Sequence, residues 1–203
     1  MSPVKTGPLA AVASWLLLTL GCSGPDVVLA TLPAEEEAAT PQRCATTQGD
    51  ASDPVSDCPA GTYCEMPTCG SASGTCQLLP AICDNNEQPT CGCDGVTYFN
   101  DCLRQANGIA SSTPMPCSFD SAYLCGFSGQ MCPEGAMCAK LVRGGQGQCT
   151  ANSPGICWVL PLQCPQPGPY DLRWDSCVSG GPCVDTCTAI ATGGVYQHTI
   201  ACP

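Results

Sequence analysis

The sequence predicts a small disulfide-rich α+β protein built as a tandem, diverged repeat, and three observations lead to this prediction. The chain has 203 residues, of which 21 are Cys, a density typical of exported proteins held together by disulfides. Aromatic residues make up only 5% of the chain, whereas Gly and Pro number 22 and 20. This composition offers too little apolar surface for one large core to offset the chain entropy. Most of the cysteines also fall into two sets with matching local sequences.

The charge of the chain excludes two classes of partner. Six basic residues face 17 acidic ones, which gives a formal net charge of -11 at pH 7. A nucleic-acid-binding protein needs a positive surface that displaces counterions, and the sequence provides none. The same acidity argues against a polybasic surface that would bind anionic lipids.

The first residues are predicted to direct export. Residues 1–21 carry one early charge, Lys5, which is followed by an apolar stretch from Pro8 to Leu20. Because about 20 apolar residues are needed to span a bilayer, this shorter stretch is typical of a signal peptide. The exported chain would then enter an oxidising space where disulfides persist.

The end of the signal peptide leaves two alternatives open. The stretch Leu18-Thr19-Leu20-Gly21-Cys22 resembles a bacterial lipobox, which implies lipidation of Cys22 and attachment to the outer membrane or the cell surface. Cleavage after Ala30 would instead give a secreted protein. Either event leaves 20 cysteines, an even number that disulfides can pair completely. The composition of residues 22–43 predicts an acidic flexible stalk.

The remaining cysteines form two sets of ten, which divide the chain into two modules. Residues 44–117 hold the first set and residues 125–203 the second, with residues 118–124 as a linker. Three matches fix the register: Cys58–Cys64 with Cys132–Cys138, Cys76–Cys83 with Cys157–Cys164, and a final gap of 14 residues before Cys117 and before Cys202. These matches indicate a duplication whose second copy is degenerate.

Motifs for a metal, a cofactor or catalysis are absent from the sequence. Zinc sites favour Cys-x-x-Cys pairs or several His ligands, whereas this chain has no such pair and a single His, His198. The stretch that begins at Asp84 lacks the Gly and Glu positions of an EF-hand. No nucleophile elbow, zinc-protease or phosphate-loop motif occurs. We therefore expect a protein that is not an enzyme, and we expect His198 at the surface.

One stretch carries a family resemblance. Cys83 is followed by seven residues, Cys91, six residues, Tyr98, three residues and Cys102, and the segment from Cys91 reads CGCDGVTYFNDC. This spacing resembles Kazal-type serine protease inhibitors over residues 76–117. The resemblance implies short antiparallel strands and one helix, with Tyr98 as the main aromatic of a small core.

Local sequence signals agree with that implied fold. Asp94-Gly95 is typical of a turn, and residues 96–99 are rich in β-prone side chains. Asn100 or Asp101 can cap a helix that begins near Cys102. Asn107-Gly108 would end this helix, because Gly is favoured just past the last turn.

The resemblance also implies a functional loop. In the family, an extended loop between the second and third Cys enters the protease, and here it would run from Cys83 to Cys91. Asn85 would fill the main pocket of the protease, and the bond between Asn85 and Asn86 would be the one at risk, with Asp84 before it. Asn100 would hold the loop by hydrogen bonds on both sides of that bond. A loop held in its bound shape loses little entropy on docking.

The sequence departs from the family in its cysteines. Arg104, Gln105 and Ala106 occupy the stretch where the family has its fifth Cys, and Cys93 is additional. The hypothesis that follows keeps two family bridges and adds one. The bridges are Cys83–Cys102, Cys91–Cys117 and Cys76–Cys93.

The chemistry of Asn85 leaves two functions open. Trypsin binds Arg or Lys in a pocket with a buried carboxylate, and chymotrypsin binds large apolar groups, so a short carboxamide suits neither. We therefore expect weak or no inhibition of trypsin. An inhibitor of an extracellular serine protease is one hypothesis, and a structural or protein-interaction module at the cell surface is the alternative.

The second copy lacks the signature of the first. Twelve residues separate Cys164 from Cys177, and Gln166, between Pro165 and Pro167, takes the place of Asn85 by analogy. We expect this copy to be structural. Three aromatic residues are expected to form its small core, with a binding face as the alternative; they are Trp158, Tyr170 and Trp174.

Overall fold

A computed structural model describes residues 42–45, 57–126, 129–143, 149–178, 181–198 and 202 of the chain. The predicted signal peptide, Cys22 and all but the last two residues of the predicted stalk lie outside these described residues. Every described residue belongs to one compact unit, residues 39–203. None of the helices within the described ranges is long and apolar enough to cross a membrane.

Strands dominate the described structure. The strands are β1 Arg43–Ala45, β2 Thr62–Glu65, β3 Ser73–Leu78, β4 Thr90–Gly92, β5 Thr97–Tyr98, β6 Ser111–Thr113, β7 Leu124–Cys125, β8 Met137–Arg143, β9 Gly155–Val159, β10 Arg173–Ser176, β11 Val184–Asp185 and β12 Val195–His198. The helices are α1 Asp101–Ala106 and α2 Thr186–Ala191. The expected α+β class is therefore too helical, because the described chain is mostly sheet. Cross-links at short intervals, together with Gly and Pro, leave little room for longer helices.

A small antiparallel sheet forms the N-terminal part, in the order β1-β3-β2. Cys64 on β2 lies opposite Cys76 on β3, yet the two do not bond to each other. The bridges Cys44–Cys64 and Cys58–Cys76 join this sheet instead. Gly74 is required here, because a Cβ at this position would collide with the carbonyl of Glu65 and the sulfur of Cys64.

A larger sheet contains the other nine strands and crosses the predicted module boundary. Its order is β11-β10-β12-β8-β9-β5-β4-β6, and β7 pairs separately with β9. β5 and β9 run parallel, with Tyr98 opposite Val159. In the predicted linker, the amide of Tyr123 donates to the carbonyl of Gly95 at 2.7 Å. The two predicted modules therefore share one sheet, and nothing in this pairing decides where one module ends.

Sulfur supplies much of the interior. Among the nine largest fully buried side chains of the described residues, five are half-cystines: Cys44, Cys91, Cys125, Cys157 and Cys187. One core cluster combines Val96 and Tyr98 with Cys125 and Cys157. The bridges thus act both as cross-links and as packing material, as the scarcity of aromatic residues led us to expect.

Ten disulfides join the described cysteines, and they correct one predicted pairing. Cys83–Cys102 and Cys91–Cys117 are present, as expected. The predicted Cys76–Cys93 bridge is wrong, because Cys76 lies on β3 of the small sheet, where Cys58 is its partner. Cys93 follows β4 and pairs with Cys69. The second set pairs as Cys125–Cys138, Cys132–Cys157, Cys149–Cys177, Cys164–Cys187 and Cys183–Cys202.

A buried ion pair joins the two sheets through helix α1. The Arg104 side chain is 3% exposed, and its Nη1 lies 2.8 Å from Glu65 Oε2 on β2. The other carboxylate oxygen of Glu65 accepts from the amide of Ser111 on β6 at 2.9 Å. Arg104 also donates to Asp101 at 2.8 Å and to the carbonyl of Ile109. Glu65 therefore fixes the small sheet to both α1 and β6.

The charges in this cluster support one another. Burial alone would lower the pKa of Arg104, but the hydrogen bonds that Arg104 donates to the carboxylates of Asp101 and Glu65 outweigh this effect and raise that pKa. The Tyr63 hydroxyl donates to Glu65 at 2.6 Å, and burial together with this bond raises the pKa of Tyr63. Arg104 and Tyr63 therefore keep their ordinary protonation state at neutral pH.

Replacing Arg104 should destabilise the fold. In Arg104→Met, the partly buried carboxyl group of Glu65 loses its cationic partner, and we expect a loss of about 3 kcal/mol in the free energy of unfolding. The matched control is Arg43→Met, the same change at an exposed position, with an expected effect below about 0.5 kcal/mol. Guanidinium unfolding with the disulfides intact measures both. Equal shifts in the two variants would contradict this role of Arg104.

Candidate functional site

Two disulfides hold the ends of an exposed loop. Residues 84–88 are exposed between the half-cystines Cys83 and Cys91. Cys83 is tied to Cys102 in the first turn of α1. Cys91 lies on β4 and is tied to Cys117. Both ends of the loop are therefore fixed covalently to the body of the protein.

The side chain of Asn100 holds the middle of this loop. Its Nδ2 donates to the carbonyl of Asp84 at 2.9 Å and to the carbonyl of Asn86 at 3.2 Å. These two carbonyls lie on either side of Asn85, which is exposed. Asn100 itself is 4% exposed, so water competes little for its hydrogen bonds. The backbone around the bond between Asn85 and Asn86 is thus held in one shape.

Asn100 also begins helix α1. Its Oδ1 accepts from the amide of Leu103 at 2.9 Å, which is the usual bond of a helix N-cap. Helix α1 runs from Asp101 to Ala106, one residue earlier than predicted, and Gly108 with φ 71° follows it as expected. One amide group therefore joins helix and loop: the oxygen caps the helix, and the nitrogen holds the loop.

The side chains that flank Asn85 bond to each other. Asn86 Nδ2 donates to Asp84 Oδ2 at 2.9 Å, and the Asn86 amide donates to Asp84 Oδ1 at 3.3 Å. Hydrogen bonds between the exposed residues Asp84 and Asn86 therefore restrict the loop in addition to those from buried Asn100. Asn85 lies between Asp84 and Asn86, and these hydrogen bonds do not involve its side chain.

The far end of the loop is tied to the core through Phe99. The amide of Gln88 donates to the carbonyl of Phe99 at 3.0 Å, and the amide of Phe99 donates to the carbonyl of Val159 on β9 at 3.0 Å. Phe99 is fully buried, whereas only its neighbour Tyr98 was expected in the core. The β-prone character of residues 96–99 was the signal that could have drawn attention to Phe99.

Tyr98 stabilises the turn that precedes Phe99. It is 3% exposed, and its hydroxyl donates to Asp94 Oδ2 at 2.8 Å. The other oxygen of Asp94 accepts from the amide of Val96 at 3.1 Å, in the predicted turn at Asp94-Gly95. Burial and the Asp94 carboxylate raise the pKa of Tyr98, so its hydroxyl remains a donor. Tyr98 is therefore the aromatic side chain of the core cluster that it forms with Val96, Cys125 and Cys157.

Glu87, an exposed side chain of the loop, has a raised pKa. This side chain lies at the surface, yet the surrounding protein lowers its solvation, and this partial burial raises its pKa. The carboxylates of Asp171 and Asp185 raise the pKa further. Glu87 is the second residue after Asn85, and both Asp171 and Asp185 belong to the second cysteine set.

Helix α2 offers a comparison for Asn100. Asp185 lies two residues before Cys187, as Asn100 lies two before Cys102. Asp185 caps α2, and its two oxygens accept from the amide and the hydroxyl of Thr188 at 3.0 Å and 2.7 Å. An ionised carboxylate has no hydrogen to donate. Asp185 therefore caps a helix but cannot hold a loop by its carbonyls.

The predicted aromatic core of the second copy is partly wrong. Trp158 and Trp174 are buried at 6% and 4% exposure, and Trp174 Nε1 donates to Thr186 at 2.9 Å. Tyr170 is 97% exposed instead, because the Pro- and Gly-rich segment around it forms a turn at the surface. Gln166 is also exposed. His198 lies at the surface and contacts the edge of Trp174, with ring centroids 5.6 Å apart.

Clustered sulfurs could suggest a metal site. Two groups of three cysteine sulfurs lie within 4.8 Å of one another, Cys44, Cys58, Cys76 and Cys125, Cys132, Cys138. All six belong to disulfides, so none offers a thiolate. The clusters are pairs of neighbouring bridges.

Comparison with known protein families found no family that matches, and comparison with curated proteins found no match. The function is therefore argued from the geometry of the loop.

Asn100→Asp should separate the two roles of Asn100. The carboxylate can still cap α1, as Asp185 caps α2, but it cannot donate to the loop and would repel Asp84. We expect cleavage within residues 84–87 by a broad-specificity protease to accelerate at least about tenfold, because each lost hydrogen bond contributes about 1 kcal/mol. Mass spectrometry of the fragments measures the cleavage rate.

Hydrogen exchange of the Leu103 amide supplies the control for the helix. This amide should stay protected in Asn100→Asp and lose protection in Asn100→Ala. Cleavage of Asn100→Asp at the rate of the unaltered protein would show that the loop keeps its shape without these bonds.

Glu87→Gln should raise stability at neutral pH. Because the folded-state pKa of Glu87 is raised, its ionisation costs stability as the pH rises through the carboxyl range. We expect a gain below about 1 kcal/mol at pH 7, since the group is exposed and screened, and no gain near pH 3. Denaturant unfolding at both pH values measures the gain. Glu134→Gln, the same change at another exposed carboxylate, is the matched control, and an equal gain in both variants would contradict this role of Glu87.

Proposed function

We propose that this chain is an exported inhibitor of a serine protease that presents the bond between Asn85 and Asn86 to the enzyme. The observation that carries the proposal is the pair of hydrogen bonds from buried Asn100 to the carbonyls of Asp84 and Asn86. They fix the backbone on both sides of an exposed side chain. Inhibition of this kind needs such a backbone, because a loop already in its bound shape loses little entropy on docking.

The same contacts would make cleavage of the bond between Asn85 and Asn86 slow. After hydrolysis between Asn85 and Asn86, the first new end would stay tied through Cys83–Cys102 and the second through Cys91–Cys117. Asn100 would still hold a carbonyl on each side of the break. The leaving amine would remain beside the acyl group, where resynthesis of the bond competes with release. The protease would thus remain occupied by its own substrate.

The side chain of Asn85 sets the class of protease. A short neutral carboxamide fits a primary pocket that is small and polar, with hydrogen-bonding groups for the amide. Trypsin would leave its buried carboxylate unpaired, and chymotrypsin would leave its pocket underfilled. The proposed target is a serine protease whose primary pocket accepts Asn.

The disulfides indicate the environment in which the protein resides. Ten bridges indicate an extracellular or otherwise oxidising environment. Export by residues 1–21 and lipidation of Cys22 would place the inhibitor at the surface of the cell, with the acidic stalk as a spacer. Cleavage after Ala30 would release it into the surroundings.

The second cysteine set is proposed to be a duplicated copy with a structural role. Numbered one to ten within each set, the cysteines pair as 1–3, 2–5 and 6–9 in both. The remaining bridges differ by an exchange of positions seven and eight. The fourth cysteine pairs with the eighth, Cys93, in the first set and with the seventh, Cys177, in the second. The tenth cysteine pairs with the seventh, Cys91, in the first set and with the eighth, Cys183, in the second. Asp185 lacks the donor of Asn100, which supports a copy without an inhibitory loop.

Changing Asn85 to Arg should create a trypsin inhibitor, whatever the natural target is. Trypsin binds Arg through the buried carboxylate of its pocket. If the loop has the shape of a bound substrate, Asn85→Arg should lower the inhibition constant by at least about 1,000-fold, which corresponds to about 4 kcal/mol. Residual trypsin activity and cleavage between residues 85 and 86 are followed together, with the unaltered protein as the weak reference.

Two further variants complete this test. Gln166→Arg places the same side chain in the analogous segment of the second set and should not inhibit trypsin. Asn85→Arg combined with Asn100→Asp should lose the inhibition and be cleaved. If trypsin simply cuts Asn85→Arg and leaves, the loop is not inhibitory and the structural or interaction module becomes the better description.

A further inference from the structure

The segment of residues 160–172 emerges beside the loop. β5 and β9 are parallel neighbours, with Thr97 opposite Trp158 and Tyr98 opposite Val159. Parallel strands end at the same edge of a sheet. β5 leads there into Asn100, which holds the loop, and β9 leads there into residues 160–172. The pairing of Phe99 with the Val159 carbonyl continues this contact one residue further.

This segment is stiff, and it exposes apolar side chains. It contains four prolines, at positions 161, 165, 167 and 169, each of which fixes its own backbone φ. Cys164 is bonded to Cys187, and the amide of Gly168 donates to Asp171. On this frame Tyr170 is 97% exposed and Leu162 is fully exposed. Ordering these side chains in a complex would cost little chain entropy.

Hydrogen bonds place the start of the segment on one side of the bond between Asn85 and Asn86. Gln88 follows that bond, and its amide donates to the carbonyl of Phe99, whose own amide donates to the carbonyl of Val159, the residue before the segment. Farther along the segment, the carboxylate of Asp171 raises the pKa of Glu87. Tyr170 immediately precedes Asp171. The segment therefore lies on the side of the loop that faces the leaving-group half of a protease cleft.

We propose that Tyr170, supported by Leu162, forms a second contact surface for the same serine protease, on the leaving-group side of the loop. This inference rests on the proposed function and extends it to the second cysteine set. Large apolar side chains exposed next to a docking loop become buried when the partner arrives. Tyr is suited to this task, because it offers a broad apolar face and a hydroxyl at low entropic cost. The expected partner has an apolar depression beside its cleft.

The test uses the full oxidised chain with Asn85→Arg, and trypsin as the probe. A photoreactive benzoylphenylalanine replaces Tyr170 in one sample and Met131 in another, because Met131 is also an exposed apolar residue of the second set, 82% exposed. Irradiation of the trypsin complex should cross-link position 170 to trypsin and leave position 131 uncross-linked. In the same background, Tyr170→Ser should raise the inhibition constant about tenfold, and Met131→Ser should leave it unchanged.

The outcomes separate this inference from the proposed function. If Asn85→Arg inhibits trypsin but position 170 neither cross-links nor affects the inhibition constant, the second contact surface is wrong and the inhibitory loop stands. If Asn85→Arg does not inhibit trypsin at all, the proposed function fails and the second surface fails with it. Cross-linking of position 170 to a second copy of this chain would assign Tyr170 to self-association and overturn the proposal.

Discussion

Disulfide cross-links replace an apolar core in this protein, and every other feature depends on them. Half-cystines account for five of the nine largest fully buried side chains of the described residues. Helices of six residues and strands of two to seven are too short to be stable alone. A bridge contributes about 2–4 kcal/mol, mainly by restricting the unfolded chain. Ten bridges therefore allow short elements to stay ordered, and they leave the surface free to carry an exposed loop without a large core beneath it.

Asn100 shows how a small fold gives two tasks to one side chain. Its oxygen begins α1, and its nitrogen holds the loop at Asp84 and Asn86. The helix in turn is fixed by Arg104, which joins α1 to Glu65 on the small sheet. Loop shape is therefore coupled to the N-terminal sheet by electrostatics as well as by sulfur.

Local features could be predicted from the sequence, and distant ones could not. The turn at Asp94 and helix α1 follow from residues that lie close together in the chain. The two loop bridges are expected only from the resemblance to Kazal-type inhibitors. The partners of Cys76 and Cys93 depend on which sheet each one joins, and spacing does not encode that choice. Arg104 and Glu65 are 39 residues apart, and neither side chain has a motif around it. The parallel pairing of β5 with β9 escaped prediction for the same reason.

That pairing also gives the second cysteine set a physical reason to remain folded. The carbonyl of Val159 fixes the amide of Phe99, whose own carbonyl holds Gln88 at the end of the loop. The second set therefore supports the loop through a backbone carbonyl, a group that every residue has. Donor groups such as that of Asn100 are needed only where a loop must be held, and Asp185 shows that a helix cap alone does not need one. The second cysteine set can thus be required for the shape of the loop without having a donor like Asn100 of its own.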